Sequence, residues 1–131
     1  MRRKKTKEFL TDVELEFMTQ LWDLGEGTVR DILSAMPSDR QLAYTSAATF
    51  MRILEEKGFV TSEKLGKSLV YAPRVSKDTY QSRTLKSLSE KLFDDTPASL
   101  VARLVDDHDL SDEALSDIRA LLDRRLNNDP D

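Results

Sequence analysis

A chain of 131 residues, 39% hydrophobic and 34% charged, has room for one compact domain or a small domain with an appendage, and too little for a large catalytic cleft. It holds no cysteine, which excludes disulfides, thiolate metal sites and cysteine nucleophiles and fits a reducing, cytoplasmic setting. The net charge of −4 divides unevenly: residues 1–75 hold 12 Lys and Arg against 11 Asp and Glu, a balance of +1, while residues 76–131 hold 8 against 13, a balance of −5.

Residues 1–10 open with a basic arm, Arg2, Arg3, Lys4, Lys5 and Lys7. Such a run is either a solubilising tail or a phosphate-binding arm. It is not the start of a signal peptide, because Thr11, Asp12, Glu14 and Glu16 follow where an apolar run is required. No stretch approaches about 20 apolar residues, so no membrane partner is expected.

The first helix is expected over residues 11–24, with Val13, Phe17, Met18, Leu21, Trp22 and Leu24 on one face. Thr11 and Glu14 have capping-box spacing, and Gly25 ends the pattern. A second helix follows over about residues 29–36, burying Val29, Ile32, Leu33 and Met36, with Thr28 and Asp31 at its start and Pro37 as its stop.

A third, capped helix is expected from about Thr45 to Gly58. Ala47, Phe50, Met51 and Leu54 form its apolar side, while Thr45, Ser46, Ala48, Thr49 and Arg52 occupy the opposite one. Residues 59–64 and 69–72 then read as two strands around a four-residue turn, Leu65-Gly66-Lys67-Ser68, with Pro73 ending the pairing.

Three helices followed by a basic hairpin read as a winged helix-turn-helix over residues 11–75. Thr45, Ser46, Thr49 and Arg52 are then the residues expected to read base edges in the major groove. Tyr44, Lys64, Lys67, Ser68 and Arg74, with Arg2, Arg3, Lys4 and Lys5 of the arm, are expected on the DNA backbone. Taken alone, the helix face and the Lys-Gly-Lys-Ser tip are ordinary solvated surfaces; their adjacency carries the reading.

Residues 76–131 become helical again after a linker at 75–77. One helix to about Phe93 carries Tyr80, Leu85, Leu88, Leu92 and Phe93 on its apolar face. A second holds Leu100, Val101, Leu104 and Val105, and a third, capped by Ser111, holds Leu115, Ile118, Leu121, Leu122 and Leu126. Three thin helices bury these residues best against a second copy, so Tyr80, Leu85, Leu88, Leu92, Leu100, Leu104, Leu115, Ile118 and Leu122 are expected at a dimer interface. The fold class expected is mainly α with a small β-hairpin: a winged helix and a helical dimerisation region.

Enzymatic chemistry finds no support. There is no Ser/His/Asp set and no glycine-rich phosphate cradle, and Gly66-Lys67-Ser68 lacks the upstream glycine and helical context of a nucleotide loop. The only histidine, His108, sits among Asp106, Asp107 and Asp109, a solvated loop rather than a metal site. No cofactor is expected. A protein-docking winged helix, or one with a small-molecule effector, remains the alternative.

Over nearly the whole chain, LTDVELEFMTQLWDLGEGTVRDIL, YTSAATFMRILEEKGFV, KLGKSLVYAPRVS and SLVARLVDDHDLSDEALSDIRALL, in that order, resemble the BlaI/MecI/CopY group of penicillinase and copper-responsive repressors. The resemblance implies a homodimeric transcriptional repressor on a two-fold symmetric promoter operator. In the β-lactam branch a membrane sensor protease cuts an Asn-Phe bond; the aligned position here is Arg103-Leu104, and any upstream sensor or protease is unidentified. The copper branch binds metal through C-terminal cysteines, which this chain lacks. Ile53 stands where many members carry Arg, with Arg52 one position earlier.

Overall fold

The computed structural model describes residues 9–107 and 109–127. Helix α1 spans Asp12–Leu24 and begins with the expected capping box: the Thr11 hydroxyl accepts from the Glu14 N–H at 3.2 Å, and Glu14 Oε1 accepts from the Thr11 N–H at 2.9 Å. Its end is set by Gly25, whose φ of 87° is open to glycine and strained for other residues. Helix α2, Val29–Ala35, starts with a second capping box between Thr28 and Asp31. Both helices turn their apolar stripes inward, although Leu24, at the last position of α1, stays exposed.

Helix α3 spans Tyr44–Lys57. Its N-cap is Ala43, which offers no side-chain acceptor, so the cap expected near Thr45 is absent: the helix starts one residue earlier, and Thr45 and Ser46 lie within its first turn. Gly58 closes it in the left-handed conformation at φ 90°.

Strands β1 (Val60–Leu65) and β2 (Ser68–Pro73) pair antiparallel, with Leu65 opposite Ser68 and Val60 opposite Pro73. The pairing therefore runs further than expected and leaves Gly66 and Lys67 alone in the loop. Gly66 carries the positive φ, 64°, that a type II′ hairpin needs at its first loop position. Gly27 adds a single antiparallel bridge to Tyr71, its N–H donating at 2.9 Å and its carbonyl accepting at 2.8 Å. This link ties the α1–α2 connection to the wing.

The core joins α1, α2, α3 and the hairpin through Phe17, Met18, Leu21, Ile32, Met51, Leu54, Phe59 and Val60, all essentially inaccessible to solvent. Each such side chain contributes about 1.5–3 kcal/mol of burial. Phe17 stacks on the half-buried Phe50 with centroids 5.3 Å apart. Trp22 anchors the edge, its indole N–H donating to the Val75 carbonyl at 2.9 Å.

Val75 is itself buried, and the next helix, α4 (Lys77–Leu92), begins two residues later. Tyr80 packs against Phe9, Trp22 and Phe59, and its hydroxyl accepts from the Leu10 N–H at 2.8 Å. The chain accordingly divides into compact units at Met1–Thr84 and Leu85–Asp131. Residues 75–77 are no slack linker, because Val75 is gripped on both its side chain and its carbonyl.

In the second unit the end of α4 turns through Asp94 and Asp95, both left-handed at φ 52° and 56°. Short polar side chains tolerate that conformation best among non-glycine residues. Helices α5 (Pro97–Asp107) and α6 (Asp112–Leu126) follow, the latter capped by Ser111. Neither contains a buried residue, and α4 contributes only Ser89. Leu85, Leu88 and Leu92, on the face expected to meet a second copy, are exposed in the single chain.

Candidate nucleic-acid interface

The two faces of α3 are sharply different. Ala47, Met51 and Leu54 are sealed in the core, whereas Thr45, Ser46, Thr49 and Arg52 are all exposed. At 100° per residue those four positions share one stripe. The Thr49 hydroxyl donates to the Thr45 carbonyl at 3.0 Å, so its oxygen faces any ligand as an acceptor only. Arg52 has the reach and the fork of donors suited to a guanine edge or a phosphate.

The position of this stripe is fixed by charge as well as by packing. Lys57, in the last turn of α3, donates to Glu14 Oε1 at 2.8 Å, and Glu14 is only 4% exposed. Burial alone would push that carboxyl up. The Lys57 hydrogen bond, the Thr11 N–H and the Lys57 charge outweigh it, and the group titrates below the ordinary glutamate range. The pair joins the start of α1 to the end of α3. A second strut runs from α3 to β1, where the Ser62 hydroxyl donates to Glu55 Oε2 at 2.8 Å.

Beside the stripe, α2, α3 and the hairpin tip enclose an open cleft of about 380 Å³ lined by Arg30, Asp31, Tyr44, Lys67, Ser68, Leu69 and Tyr71 among others. Tyr44 is 49% exposed, and the Arg30 guanidinium lies over its ring, 5.3 Å from the centroid. Tyr71 forms the cleft's floor at 4% exposure. Burial, then the nearby Glu55, hold its hydroxyl above the usual tyrosine range against the opposing pull of Arg52, so it remains a neutral phenol.

The expected backbone residues are thus only partly brought together. Tyr44, Lys67 and Ser68 share the cleft. Lys64 is exposed one step down the wing, opposite Leu69. Arg74 lies past the other end of β2, its N–H bonded to the Phe59 carbonyl at 2.7 Å, roughly 20 Å of strand away from the tip. Arg2, Arg3, Lys4 and Lys5 lie outside the described residues, as does His108. Arg30 escaped the sequence reading, since a single arginine on the polar side of a seven-residue helix carries no local sign that it meets Tyr44.

With this geometry established, comparison with known proteins is decisive. The family model described as Penicillinase repressor matches residues 10–124. The chain belongs to the penicillinase repressor family. Its members are transcriptional repressors, not enzymes. The chain is 25% identical to the methicillin resistance regulatory protein MecI of Staphylococcus aureus strain Mu50 over 121 residues, covering 92% of this chain and 98% of that one. It is 21% identical to the penicillinase repressor of Bacillus licheniformis over 118 residues, covering 90% and 92%. A solved structure titled CopR Repressor Structure aligns with a TM-score of 0.44 and 29% identity, over 50% of this chain and 96% of that one. Among the described residues no helix is long and apolar enough to cross a membrane, and no group of three or more His, Cys, Asp or Glu is placed to hold a metal.

Proposed function

We propose that this repressor acts as a homodimer that occupies a two-fold symmetric promoter operator and excludes transcription by competitive occupancy. The observation that carries the reading is the exposed Thr45, Ser46, Thr49 and Arg52 stripe, backed by a rigid core and flanked by the basic hairpin tip. Small hydroxyl side chains permit close approach to base edges, and Arg52 supplies the longer reach. Tyr44, Lys64, Lys67, Ser68, Arg74 and the arm residues Arg2, Arg3, Lys4 and Lys5 hold the sugar-phosphate backbone, each cation adding attraction that weakens with salt.

Dimerisation is proposed through α4, α5 and α6. Leu85, Leu88, Leu92, Leu104, Leu115 and Leu122 are exposed, and Leu100 and Ile118 are only half-buried. Exposed apolar side chains repeated along successive helices suit a protein contact, and a two-fold partner with the same helices would cover them and present a second α3 to the operator. Tyr80 drops out of this set, being committed to Phe9, Trp22 and Phe59.

The test is a fluorescence-anisotropy titration of DNA from upstream of the protein's own gene against scrambled duplex, at several salt concentrations. A preference of roughly 10³-fold or more, two chains per duplex and a steep loss with salt are expected. Salt-insensitive or undetectable binding to every duplex, including a pool enriched by selection, would rule out the DNA-reading assignment.

A further inference from the structure

We propose that Arg30 and Tyr44, facing Lys67 and Ser68 across the cleft where α2, α3 and the hairpin tip meet, form a seat for one backbone phosphate of duplex DNA, and that this phosphate sets the register of α3 in the groove. The inference rests on the DNA-binding function proposed above and adds to it a residue and a site.

Three separate elements converge on the cleft, each contributing chemistry that suits a phosphodiester. From α2, the Arg30 guanidinium lies over the Tyr44 ring, 5.3 Å from its centroid. This cation–π contact restrains the side chain while leaving it N–H donors for an acceptor. From α3 comes the exposed Tyr44 itself, and from the hairpin come the Lys67 ammonium and the Ser68 hydroxyl. Asp31 is the one acid lining the cleft, and its Oδ2 is occupied by the Thr28 N–H at 3.0 Å. Two cations therefore face one carboxylate already engaged in capping. Val29, Ala48, Leu69 and Tyr71 add to the lining apolar surface of the kind a deoxyribose covers.

The arrangement also explains how a non-specific contact serves specific reading. Arg30 meets α3 at Tyr44, one residue before Thr45 in the reading stripe. A phosphate held at this corner would clamp the wing to the N-terminal end of α3, and so fix which base step Thr45, Ser46 and Thr49 meet. Phosphate contacts position a protein on DNA without encoding sequence themselves.

The experiment uses the full chain and a duplex recovered by selection from a random-sequence pool, with single neutral methylphosphonates introduced along each strand. Wild type should lose affinity sharply at one phosphate per half-site. Arg30→Gln should bind the unmodified duplex about tenfold more weakly with a salt slope smaller by about 1, and the methylphosphonate at that position should weaken it clearly less than it weakens wild type, Lys67 and Ser68 keeping the remainder. Arg30→Lys, which keeps the charge but loses the planar fork of donors, should retain the salt slope with an intermediate affinity. Arg103→Gln, on α5, should match wild type. If wild type binds DNA with its normal slope and Arg30→Gln equals it in affinity and slope, or keeps the full methylphosphonate penalty, the seat does not exist while the DNA-binding reading stands. If wild type binds no duplex from the pool, that reading falls and the seat with it.

Discussion

Residues 9–84 close around Phe17, Met18, Leu21, Met51 and Phe59, none of which meets solvent, whereas α5 and α6 hold no buried residue, and Leu92 at the end of α4 and Leu126 on α6 stay 67% and 78% exposed. Both regions are amphipathic and both are helical. What separates them is that the first interleaves three helices with a hairpin, so every apolar stripe finds a partner within the chain. The second lines up helices without an element to cover them. Amphipathicity specifies that a face must be buried, and not against what.

The sharpest way to break this comparison is to cut into each apolar set in turn. Phe17→Ala, in the sealed core beneath Phe50, should cost about 3–5 kcal/mol and lower the unfolding midpoint at every protein concentration. Leu122→Asp, on the exposed stripe of α6, should instead weaken self-association by roughly 100-fold, the effect of burying a charge in an apolar contact, and leave the unfolding of the winged helix unchanged. Sedimentation and urea unfolding separate the two. A Leu122→Asp protein that stays dimeric would remove α6 from the interface.

The Glu14–Lys57 pair tests whether the first region is held by polar bonds as well as by packing. Lys57→Met leaves a carboxylate with 4% exposure short of its cation and should cost about 2–3 kcal/mol, somewhat less than a fully buried pair because Lys57 retains partial access to water. The pH dependence follows from the lowered Glu14 carboxyl. Between its unfolded and folded titration ranges the unfolded chain binds more protons, so stability rises with pH there. The contribution is complete above about pH 4.3, the ordinary glutamate value, and is lost as pH falls through the lower folded value. Urea unfolding from neutral pH to pH 3 should therefore decline more steeply for wild type than for Glu14→Gln. Equal slopes would mean that the carboxyl is not held by Lys57.

The smallest effects are expected at the proposed DNA-binding surface, where folding is untouched. Arg52→Ala should lose about 1–3 kcal/mol of discrimination at one base position, while Lys67→Ala should weaken all duplexes alike and lower the salt slope by about 1. Binding arrays over single-base operator variants distinguish these outcomes. An Arg52→Ala protein with unchanged preference would move the reading face elsewhere.

Local patterns made much of the first region legible. The capping boxes at Thr11–Glu14 and Thr28–Asp31, the glycine stops at Gly25 and Gly58 and the wing around Gly66 are short-range features, in which neighbouring residues satisfy one another's backbone groups. The start of α3 is less legible, because Tyr44-Thr45-Ser46 looks like a cap, yet the helix extends back to Tyr44 with only Ala43 before it. The wing loop is two residues shorter than its composition suggests, since pairing of Leu65 with Ser68 is a cross-strand event that local turn composition does not reveal. The meeting of Arg30 with Tyr44 joins two helices and likewise leaves no local sign.

The elements, their order and the split between a near-neutral first part and an acidic second one are written in the chain, because periodicity, caps and charge are properties of neighbouring residues. Which residues meet is a matter of packing: Glu14 holds Lys57 across the core, Trp22 and Tyr80 draw Val75 and the first turns of α4 into the winged helix, Gly27 bridges Tyr71, and Arg30 comes to rest on Tyr44 beside the wing tip. These contacts join residues far apart in the chain, and their geometry depends on how whole elements pack rather than on any segment's own preferences.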